Sequence, residues 1–262
     1  MKTVALSVTF LGTGGSSGVP EIGCSCSVCT SSNPRNIRTR ASLCIQYNGK
    51  NIVFDTSPEF RMQVLAQGIK HVDALLFTHH HADHIMGLAD IRPFNFKQNA
   101  PVNTFASPRT ADYIRKVFPF IFDAPDELKQ FYPRVDLISI NGSFDVCGLT
   151  IHPFTVYHGI MPVTAFRFEN TAYITDVNNI PEENFQKLTN LDLLILEAFR
   201  FEKHISHYSL DEAVSVAGRI KARQTLFTHI SHAFDHNTIN SQLPPGISLA
   251  YDGLTVIPAE IR

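Results

Sequence analysis

Four metal-binding side chains lie within six residues of the chain, in the pattern His-x-His-x-Asp-His from His79 to His84. The pattern follows 73–77, a short apolar run that predicts a buried strand. His79 and His81 lie two residues apart on extended chain, so both rings can face one side, whereas Asp83 and His84 follow a turn and can face a second ion. Imidazole and carboxylate suit zinc or manganese, and a pair of such ions can carry out hydrolysis. A polar strand-to-helix loop is the alternative, but it rarely carries four ligands of the right type.

A second cluster of metal-binding side chains lies near the N-terminus. Cys24, Cys26 and Cys29 fall in the loop 23–29, and three cysteines within six residues are typical of part of a tetrahedral zinc site. A fourth ligand must then come from elsewhere in the chain. Three free thiols in a loop are the alternative. The chain has 5 cysteines in total, and this odd number favours a reducing compartment over a disulfide framework.

Composition and charge exclude several classes of function. The 262 residues can bury one large core, and 44% hydrophobic with 18% charged residues is typical of a globular protein. The formal net charge of −2 offers no basic field for long DNA or RNA, although a small phosphorylated substrate is not disfavoured. No apolar run is long enough to span a bilayer, and the N-terminus lacks a secretory segment. We therefore expect a cytoplasmic protein without membrane contact.

Further candidate ligands lie where predicted strands end. His158 ends one strand, Asp176 follows another, and His229 follows a buried strand at 224–227. Taken alone, a histidine or aspartate in such a place is more often a turn residue than a ligand. Two metal ions, however, need one more histidine each and a bridging carboxylate, which favours His158 and Asp176 as ligands.

The elements that must position these residues alternate between strands and helices. Predicted strands cover 4–11, 43–47, 52–55, 73–77, 144–147, 149–156, 163–168, 171–175, 191–196, 224–227 and two short stretches within 247–257. Predicted helices cover 58–68, 181–188 and 210–220, and a further helix includes 85–88. Asp55 either orients a metal-bound histidine or caps the helix at 58–68. The aromatic-rich segment 92–136 is expected to be less regular, and its rings belong to the core, a substrate pocket or a subunit contact.

Beyond single motifs, nearly the whole chain resembles the metallo-β-lactamase superfamily, and within it the PhnP-type phosphoribosyl cyclic phosphodiesterases. The resemblance rests on the glycine-rich start 13–20 with the cysteine cluster, on the motif 78–84, and on 226–235 with the later 243–244 and 251–253. It implies an α/β fold, a four-layer αββα sandwich with the metals at one edge. One domain over 1–262, with the zinc-binding loop 23–29, is the expected organisation.

The resemblance also implies roles for individual residues. It assigns one metal site to His79, His81 and His158, and the other to Asp83, His84 and His229, with Asp176 bridging them. A structural zinc would be held by Cys24, Cys26, Cys29 and His232. The expected cofactors are thus two divalent ions, zinc or manganese, and one structural zinc. His207 and Asp83 are the expected catalytic residues, with His207 as proton donor and His204 as its alternative. His80 has no assigned role.

These assignments lead to an expected reaction and to its alternatives. We expect hydrolysis of small phosphodiesters, cyclic ribose or nucleotide phosphates, by a hydroxide bridging two metal ions. Protonation of the leaving alkoxide by a general acid typically adds roughly 10² to 10⁴ in rate. A tRNA 3′-processing endonuclease and a non-catalytic, zinc-stabilised binding protein are the alternatives. The expected partner is a small phosphodiester, without long nucleic acid or membrane, and a homodimer is compatible with the sequence.

Overall fold

Two seven-stranded sheets form the centre of the molecule in the computed structural model, which describes residues 6–261. The strands are β1 (Ser7–Gly12), β2 (Ser42–Tyr47), β3 (Lys50–Phe54), β4 (Ala74–Leu76), β5 (Val102–Ala106), β6 (Val135–Ser139), β7 (Phe144–Val146), β8 (Leu149–His158), β9 (Met161–Phe168), β10 (Thr171–Ile174), β11 (Leu193–Glu197), β12 (Gln224–Thr228), β13 (Ile247–Leu249) and β14 (Thr255–Val256). The first sheet has the order β14-β1-β2-β3-β4-β5-β6, and the second has the order β13-β12-β11-β10-β9-β8-β7.

Helices cover the outer faces of the two sheets. The α-helices are α1 (Phe60–Ala66), α2 (Ala82–Ile85), α3 (Arg92–Gln98), α4 (Pro108–Val117), α5 (Pro119–Phe122), α6 (Leu210–Ile220) and α7 (His236–Gln242). Short 3-10 helices cover Pro34–Asn36, Met86–Ile91, Asp126–Phe131, Glu182–Leu188 and Pro258–Glu260. Among residues 6–261, no helix is both long and apolar enough to cross a membrane.

Alternating side chains of the central strands build three apolar layers. Ile52 and Phe54 of β3 face the core between the sheets, which also contains Ile195 of β11. Val53 faces the opposite way, into the layer beneath α1 and α4. Leu194 likewise faces outward, into the layer beneath α6. Because these strands are buried on both faces, their sequences are continuous apolar runs. The predicted αββα sandwich is confirmed, and the shared central core makes it a single domain.

Strand direction determines where the candidate site lies. β3, β4, β5 and β6 run parallel in the first sheet, and β10, β11, β12 and β13 run parallel in the second. Parallel strands place their carboxyl ends at one edge of the sheet, where such folds typically bind ligands. Chain segments that follow these strands therefore meet at one edge of the sandwich.

Most predicted elements are present, with bounds that shift by a few residues. The first strand is Ser7–Gly12, and residues 4 and 5 of its predicted range lie outside the described part of the chain. The hairpin turn at Asn48 and Gly49 is confirmed, and both residues have positive φ. Helix α6 begins as predicted at Ser209, which forms a reciprocal capping box with Glu212.

Two predictions about local structure were wrong, and one helix was missed. The segment 92–136 is regular over much of its length, since it contains α3, β5 and α4. The start of α4 was signalled by Ser107, whose hydroxyl accepts the N–H of Thr110, followed by a proline at the first helical position. The stretch at 181–188 is a 3-10 helix. The sequence prediction also missed α7, which is capped by Asp235 through the N–H of Thr238 at 3.0 Å.

Candidate metal centres

Three residues at the site edge share an uncommon backbone conformation. Asp55 follows β3, Asp176 follows β10 and His229 follows β12, and their φ angles are 59°, 52° and 54°. Non-glycine residues with such positive φ are uncommon, and the strain is often found at functional sites. The two sheets thus contribute carboxylate and imidazole groups to one buried place.

Asp55 organises the histidine loop. Its carboxylate accepts hydrogen bonds from the backbone N–H and the hydroxyl of Thr78, both at 2.8 Å, and from Nδ1 of His84 at 2.7 Å. The Thr78 hydroxyl in turn accepts from Nδ1 of His79 at 3.0 Å. Both rings therefore present Nε2 to the site. Of the two roles considered for Asp55, the structure favours orientation of histidine, because the cap of α1 has no side-chain hydrogen bond.

Two more histidines are fixed in the same way by acceptors on Nδ1. Nδ1 of His158, at the end of β8, lies 2.7 Å from the carbonyl oxygen of Ser206 and donates to it. Nδ1 of His207 lies 2.8 Å from Oε1 of Glu197, the last residue of β11. These contacts again direct Nε2 of each ring towards the site. An oriented set of Nε2 atoms is the usual arrangement of histidines around a metal ion.

The predicted ligands form overlapping groups that share Asp176. Within each of these groups, all the ligand atoms lie within 4.8 Å of one another. One group contains His79, His81 and Asp176, and a second contains Asp83, His84, Asp176 and His229. A third contains Asp176, Glu197, His207 and His229. His158 lies beside the first group, with its ring centroid 5.2 Å from that of His81.

Separations between ligand atoms suit a divalent cation. Nε2 of His84 lies 3.1 Å from Asp176 and 3.3 Å from Asp83, and Nε2 of His229 lies 3.3 Å from Asp176. Two ligands about 2.1 Å from one tetrahedral ion lie about 3.4 Å apart. The buried Nε2 atoms of His79, His84 and His229 have no hydrogen-bond partner among residues 6–261. Buried polar atoms normally have partners, so these nitrogens fit ligation by a metal.

The electrostatics of the group favour positive charge at its centre. Burial opposes ionisation of Asp176, but His229 and His84 outweigh it and hold its pKa well below the usual range. Burial also opposes the charged form of His229, yet Asp176 and Asp83 raise its pKa to about 9. The carboxylates therefore stabilise a cationic species here, either a proton on an imidazole or a divalent metal ion.

Glu197 is the functional candidate that sequence reasoning missed. It is fully buried, and burial raises its pKa well above the usual range. Besides His207, its carboxylate accepts the backbone N–H groups of Val177 at 3.0 Å and Tyr208 at 3.1 Å. Burial also lowers the pKa of His207 to about 4. A glutamate that ends the apolar run 193–196 was the available signal, because charged residues are rarely fully buried without a partner.

The cysteine cluster forms a second candidate metal site, away from the strand ends. Sγ of Cys24, Cys26 and Cys29 lies 3.2, 3.8 and 3.5 Å from Nδ1 of His232. Tetrahedral zinc with bonds of about 2.3 Å to sulfur and 2.0–2.1 Å to nitrogen separates S and N by about 3.6 Å. The backbone N–H of Cys29 lies 3.4 Å from Sγ of Cys26 and lowers its pKa to about 6, which favours the thiolate that zinc binds.

Contacts outside the four candidate zinc ligands support them. Glu21 places a carboxylate oxygen 3.2 Å from Nε2 of His232, which fixes the ring with Nδ1 towards the sulfurs. The buried Arg38 donates to the carbonyl oxygens of Ser231 at 3.1 Å and Phe234 at 2.8 Å. These bonds hold the segment that carries His232. Sequence reasoning missed Glu21, because nothing in the spacing of the cysteines indicates a carboxylate partner.

Two remaining histidines lie next to the centre and outside the ligand groups. His204 is half-buried, and its ring centroid lies 5.0 Å from that of His207. His80 stacks on Tyr113, with ring centroids 3.9 Å apart and an interplanar angle of 11°. Tyr113 belongs to α4, so the helix that the sequence did not predict supports the histidine loop from outside.

Comparison with known proteins agrees with this geometry. The family described as "Beta-lactamase superfamily domain" matches residues 50–230. A solved diphosphatase of the PhnP family is similar to the chain, with 42% identity and a TM-score of 0.90 over 96% of both chains. Zn²⁺-bound PqqB from Methylobacterium extorquens, at 20% identity, has a TM-score of 0.78 over 95% of this chain and 99% of its own. That likeness concerns the fold alone.

One curated relative is longer than this chain. An octanoyltransferase of Porphyromonas gingivalis is 36% identical over 256 residues, which cover 95% of this chain and 51% of that protein. This chain spans about half or less of the length of the curated relatives that it matches. Matches of this extent identify a shared domain. They do not assign the activity of the longer protein to this chain.

Proposed function

The chain belongs to the β-lactamase superfamily, and we propose that it hydrolyses small phosphodiesters of the cyclic ribose or nucleotide class at a centre of two divalent metal ions. The superfamily supplies a hydrolase fold with divalent metal binding. The observation that carries the proposal is the position of Asp176 in both ligand groups, one with His79 and His81 and the other with Asp83 and His84. One carboxylate shared by two sets of ligands is the arrangement that a two-metal hydrolase needs.

Bound divalent ions would supply positive charge to the phosphate oxygens and lower the pKa of water. The residues of the chain then have separate tasks. Asp83 and Asp176 keep their carboxylates ionised in a buried place, which holds cations there. Asp55 keeps the rings of His79 and His84 turned with Nε2 inward. Little movement is required of these groups during the reaction, so the centre is organised in advance.

His207 is the proposed proton donor to the leaving alkoxide. Nδ1 is occupied by Glu197, so Nε2 is the atom that faces the site and can give up a proton. Burial lowers the pKa of His207 to about 4, and its imidazole is neutral in the free protein near neutral pH. Negative charge on a bound phosphate would favour the protonated ring in the complex. His204 is the weaker candidate, because its Nδ1 accepts from the N–H of Ser206 and no carboxylate of residues 6–261 forms a hydrogen bond that orients it.

Hydrolysis of a diphosphate is the second candidate function. It is favoured by one observation, the 42% identity over 96% of the chain to a protein described as a diphosphatase. Both reactions require attack of water at a phosphorus atom whose non-bridging oxygens carry negative charge, so the same centre can serve either. The leaving group differs: a phosphate leaves a diphosphate with little need for a proton, whereas an alkoxide needs one. The two candidates therefore depend differently on His207.

Turnover assays on the metal-loaded protein test the proposal. Bis(p-nitrophenyl) phosphate, 2′,3′-cyclic nucleotides, a ribosyl 1,2-cyclic phosphate, a nucleoside diphosphate and a precursor tRNA form the substrate panel. We expect release of product from the cyclic diesters, with loss of turnover when divalent ions are removed. Cleavage of the precursor tRNA alone would favour the endonuclease alternative. A protein that binds metal and hydrolyses none of these compounds would contradict the proposal and favour a non-catalytic role.

A further inference from the structure

The side-chain amide of Asn178 joins two loops at the metal centre. Its Oδ1 accepts the backbone N–H of Gly159 at 2.8 Å, and its Nδ2 donates to the carbonyl oxygen of Ile205 at 2.9 Å. Gly159 directly follows the candidate ligand His158, and Ile205 lies two residues before His207. Asn178 thus contacts the chain beside a candidate metal ligand and the chain beside the proposed proton donor.

The backbone of Asn178 is itself held at the end of a strand. Asn178 lies two residues after Asp176, and its own N–H donates to the carbonyl oxygen of Tyr157 at 2.8 Å. The N–H of Tyr157 in turn donates to the carbonyl oxygen of Asn179 at 2.9 Å. This short segment therefore pairs with the end of β8. Because its backbone is fixed in this way, the amide of Asn178 can restrain the loops that it contacts.

The loop that leads to the proposed proton donor depends on polar contacts for its position. Most side chains of residues 201–205 are exposed, and that of Ile205 is 86% exposed, so apolar packing does little to hold this stretch. Nδ2 of Asn178 donates to the carbonyl oxygen of Ile205. The next carbonyl oxygen, that of Ser206, accepts from Nδ1 of His158 at 2.7 Å. The rings of His158 and of the proposed proton donor have centroids 4.4 Å apart, so a shift of the loop would change the position of one ring relative to the other.

The two contacts of Asn178 require one acceptor and one donor on the same side chain. A backbone N–H can only donate and a carbonyl oxygen can only accept, so the partners fix which end of the amide faces which loop. An ionised aspartate at position 178 could still accept from Gly159, but it has no proton to donate to Ile205. Substitution by aspartate, which has almost the same shape, therefore removes one of the two contacts and keeps the other.

We propose that Asn178 is a positioning residue, which sets the place of the proton donor His207 relative to the metal ligand His158. The inference rests on the proposed function and adds a residue whose side-chain polar atoms bind the two loops. A general acid must lie within about 3 Å of the oxygen that it protonates. A misplacement of about 1 Å can lower the rate about 10²-fold. The contact with Ile205 serves the acid, and the contact with Gly159 serves the ligand.

Three variants separate the two contacts. Asn178→Asp keeps the acceptor for Gly159 and loses the donor to Ile205, whereas Asn178→Ala loses both. Asn179→Asp is the matched control, because it introduces the same charge one residue away on an exposed side chain. KM and kcat are measured on 2′,3′-cyclic GMP, which has an alkoxide leaving group, and on bis(p-nitrophenyl) phosphate, whose leaving group needs no proton. Metal content is measured on the same samples.

We expect Asn178→Asp to lower kcat on 2′,3′-cyclic GMP by roughly 10- to 100-fold, with KM unchanged and the metals retained. Its kcat on bis(p-nitrophenyl) phosphate should fall less than about threefold. Asn178→Ala should in addition bind metal roughly tenfold more weakly, because the turn beside His158 loses its hydrogen bond. Asn179→Asp should resemble the wild type. Equal losses of kcat on both esters in Asn178→Asp, or wild-type kcat on the cyclic ester, would overturn the inference.

Nuclear magnetic resonance on the metal-free protein separates this inference from the proposed function. Hydrogen exchange of the Gly159 N–H should be as slow in Asn178→Asp as in the wild type and roughly 2- to 10-fold faster in Asn178→Ala, the effect of one hydrogen bond. The ring signals of His207 should shift in Asn178→Asp beyond any shift in Asn179→Asp. This pattern in a protein that hydrolyses no diester would support the positioning of the two rings by Asn178 and contradict the proposed function. Unchanged exchange at Gly159 in Asn178→Ala, or unchanged His207 signals in Asn178→Asp, would overturn the inference while leaving diester hydrolysis intact.

Discussion

The metal centre at the strand ends and the cysteine cluster use the same kind of ligand in opposite ways. The rings of His79, His84 and His229 are buried at the centre, and Asp55 orients His84 from inside the sandwich with a hydrogen bond of 2.7 Å. In the cysteine cluster, three ligands come from one surface loop, and the fourth, His232, comes from a segment more than 200 residues later. The fold orients the ligands of the first site. At the second site, the bound metal ion would instead join a surface loop to the segment that carries His232. Loss of metal should therefore affect activity at the first site and stability at the second.

The largest effect should come from the residue that both ligand groups share. Asp176→Ala removes a carboxylate from each group, and we expect turnover to fall roughly 10³-fold, because transition-state charge stabilisation by metal is worth several kcal/mol. The midpoint of thermal unfolding should change little, because Asp176 follows β10 and lies outside the apolar core. Kinetics on bis(p-nitrophenyl) phosphate and circular dichroism check both parts. A large drop in the unfolding midpoint would contradict the expectation that loss of metal at the strand ends affects activity and not stability.

A selective effect should appear at His207, which lies in the third ligand group at the centre and is the proposed proton donor. His207→Ala should keep the bound metals and slow esters with alkoxide leaving groups by roughly 10² to 10⁴. Esters of p-nitrophenol should be slowed little, because that leaving group needs no proton. Metal analysis and paired rate measurements check this. Equal losses on both substrate types, with metal retained, would assign His207 to positioning.

The orienting carboxylate at the centre should have a smaller effect, through metal affinity. Asp55→Ala leaves Nδ1 of His84 and the N–H of Thr78 without their acceptor, and we expect metal affinity to fall about 10- to 100-fold. Asp55→Asn keeps one acceptor oxygen and should lose less. Metal titration followed by turnover measures both variants. Wild-type affinity in Asp55→Ala would show that the centre is not organised by its own fold.

The smallest effect on catalysis, with the clearest effect on stability, should come from the cysteine cluster. Cys26→Ser should remove about one zinc ion per chain and lower the unfolding midpoint, by about 2–4 °C for each kcal/mol lost in a chain of this size. Turnover of bis(p-nitrophenyl) phosphate should remain within about tenfold of the wild type. Cys147→Ser, which changes a cysteine outside both clusters, is the control and should keep its zinc. Full zinc content in Cys26→Ser would contradict the assignment of Cys26 as a zinc ligand.

The difference between the two regions also explains what the sequence could predict. The motif 78–84 and the cysteine spacing are local patterns, and an apolar run precedes the motif, so these residue types and rough bounds could be inferred from the sequence. Partners that lie far apart in the chain could not be inferred in this way. Glu197 meets His229 across the end of the sheet, with 3.7 Å between Oε2 and Nδ1, and Glu21 meets His232. Pairings between distant segments follow from the topology of both sheets. The periodicity of apolar residues in the sequence does not determine that topology.

Staged metal removal tests directly whether two ions at the strand ends carry catalysis and a separate ion in the cysteine cluster supports stability. We expect three ions per chain, two at the strand ends and one in the cysteine cluster. A chelator that is weak for thiolate-bound zinc should remove two ions and abolish turnover of 2′,3′-cyclic GMP and bis(p-nitrophenyl) phosphate together, with the unfolding midpoint retained. Addition of Zn²⁺ or Mn²⁺ should restore turnover. Full turnover in protein that retains only the cysteine-bound ion would contradict a two-metal hydrolytic centre at the strand ends.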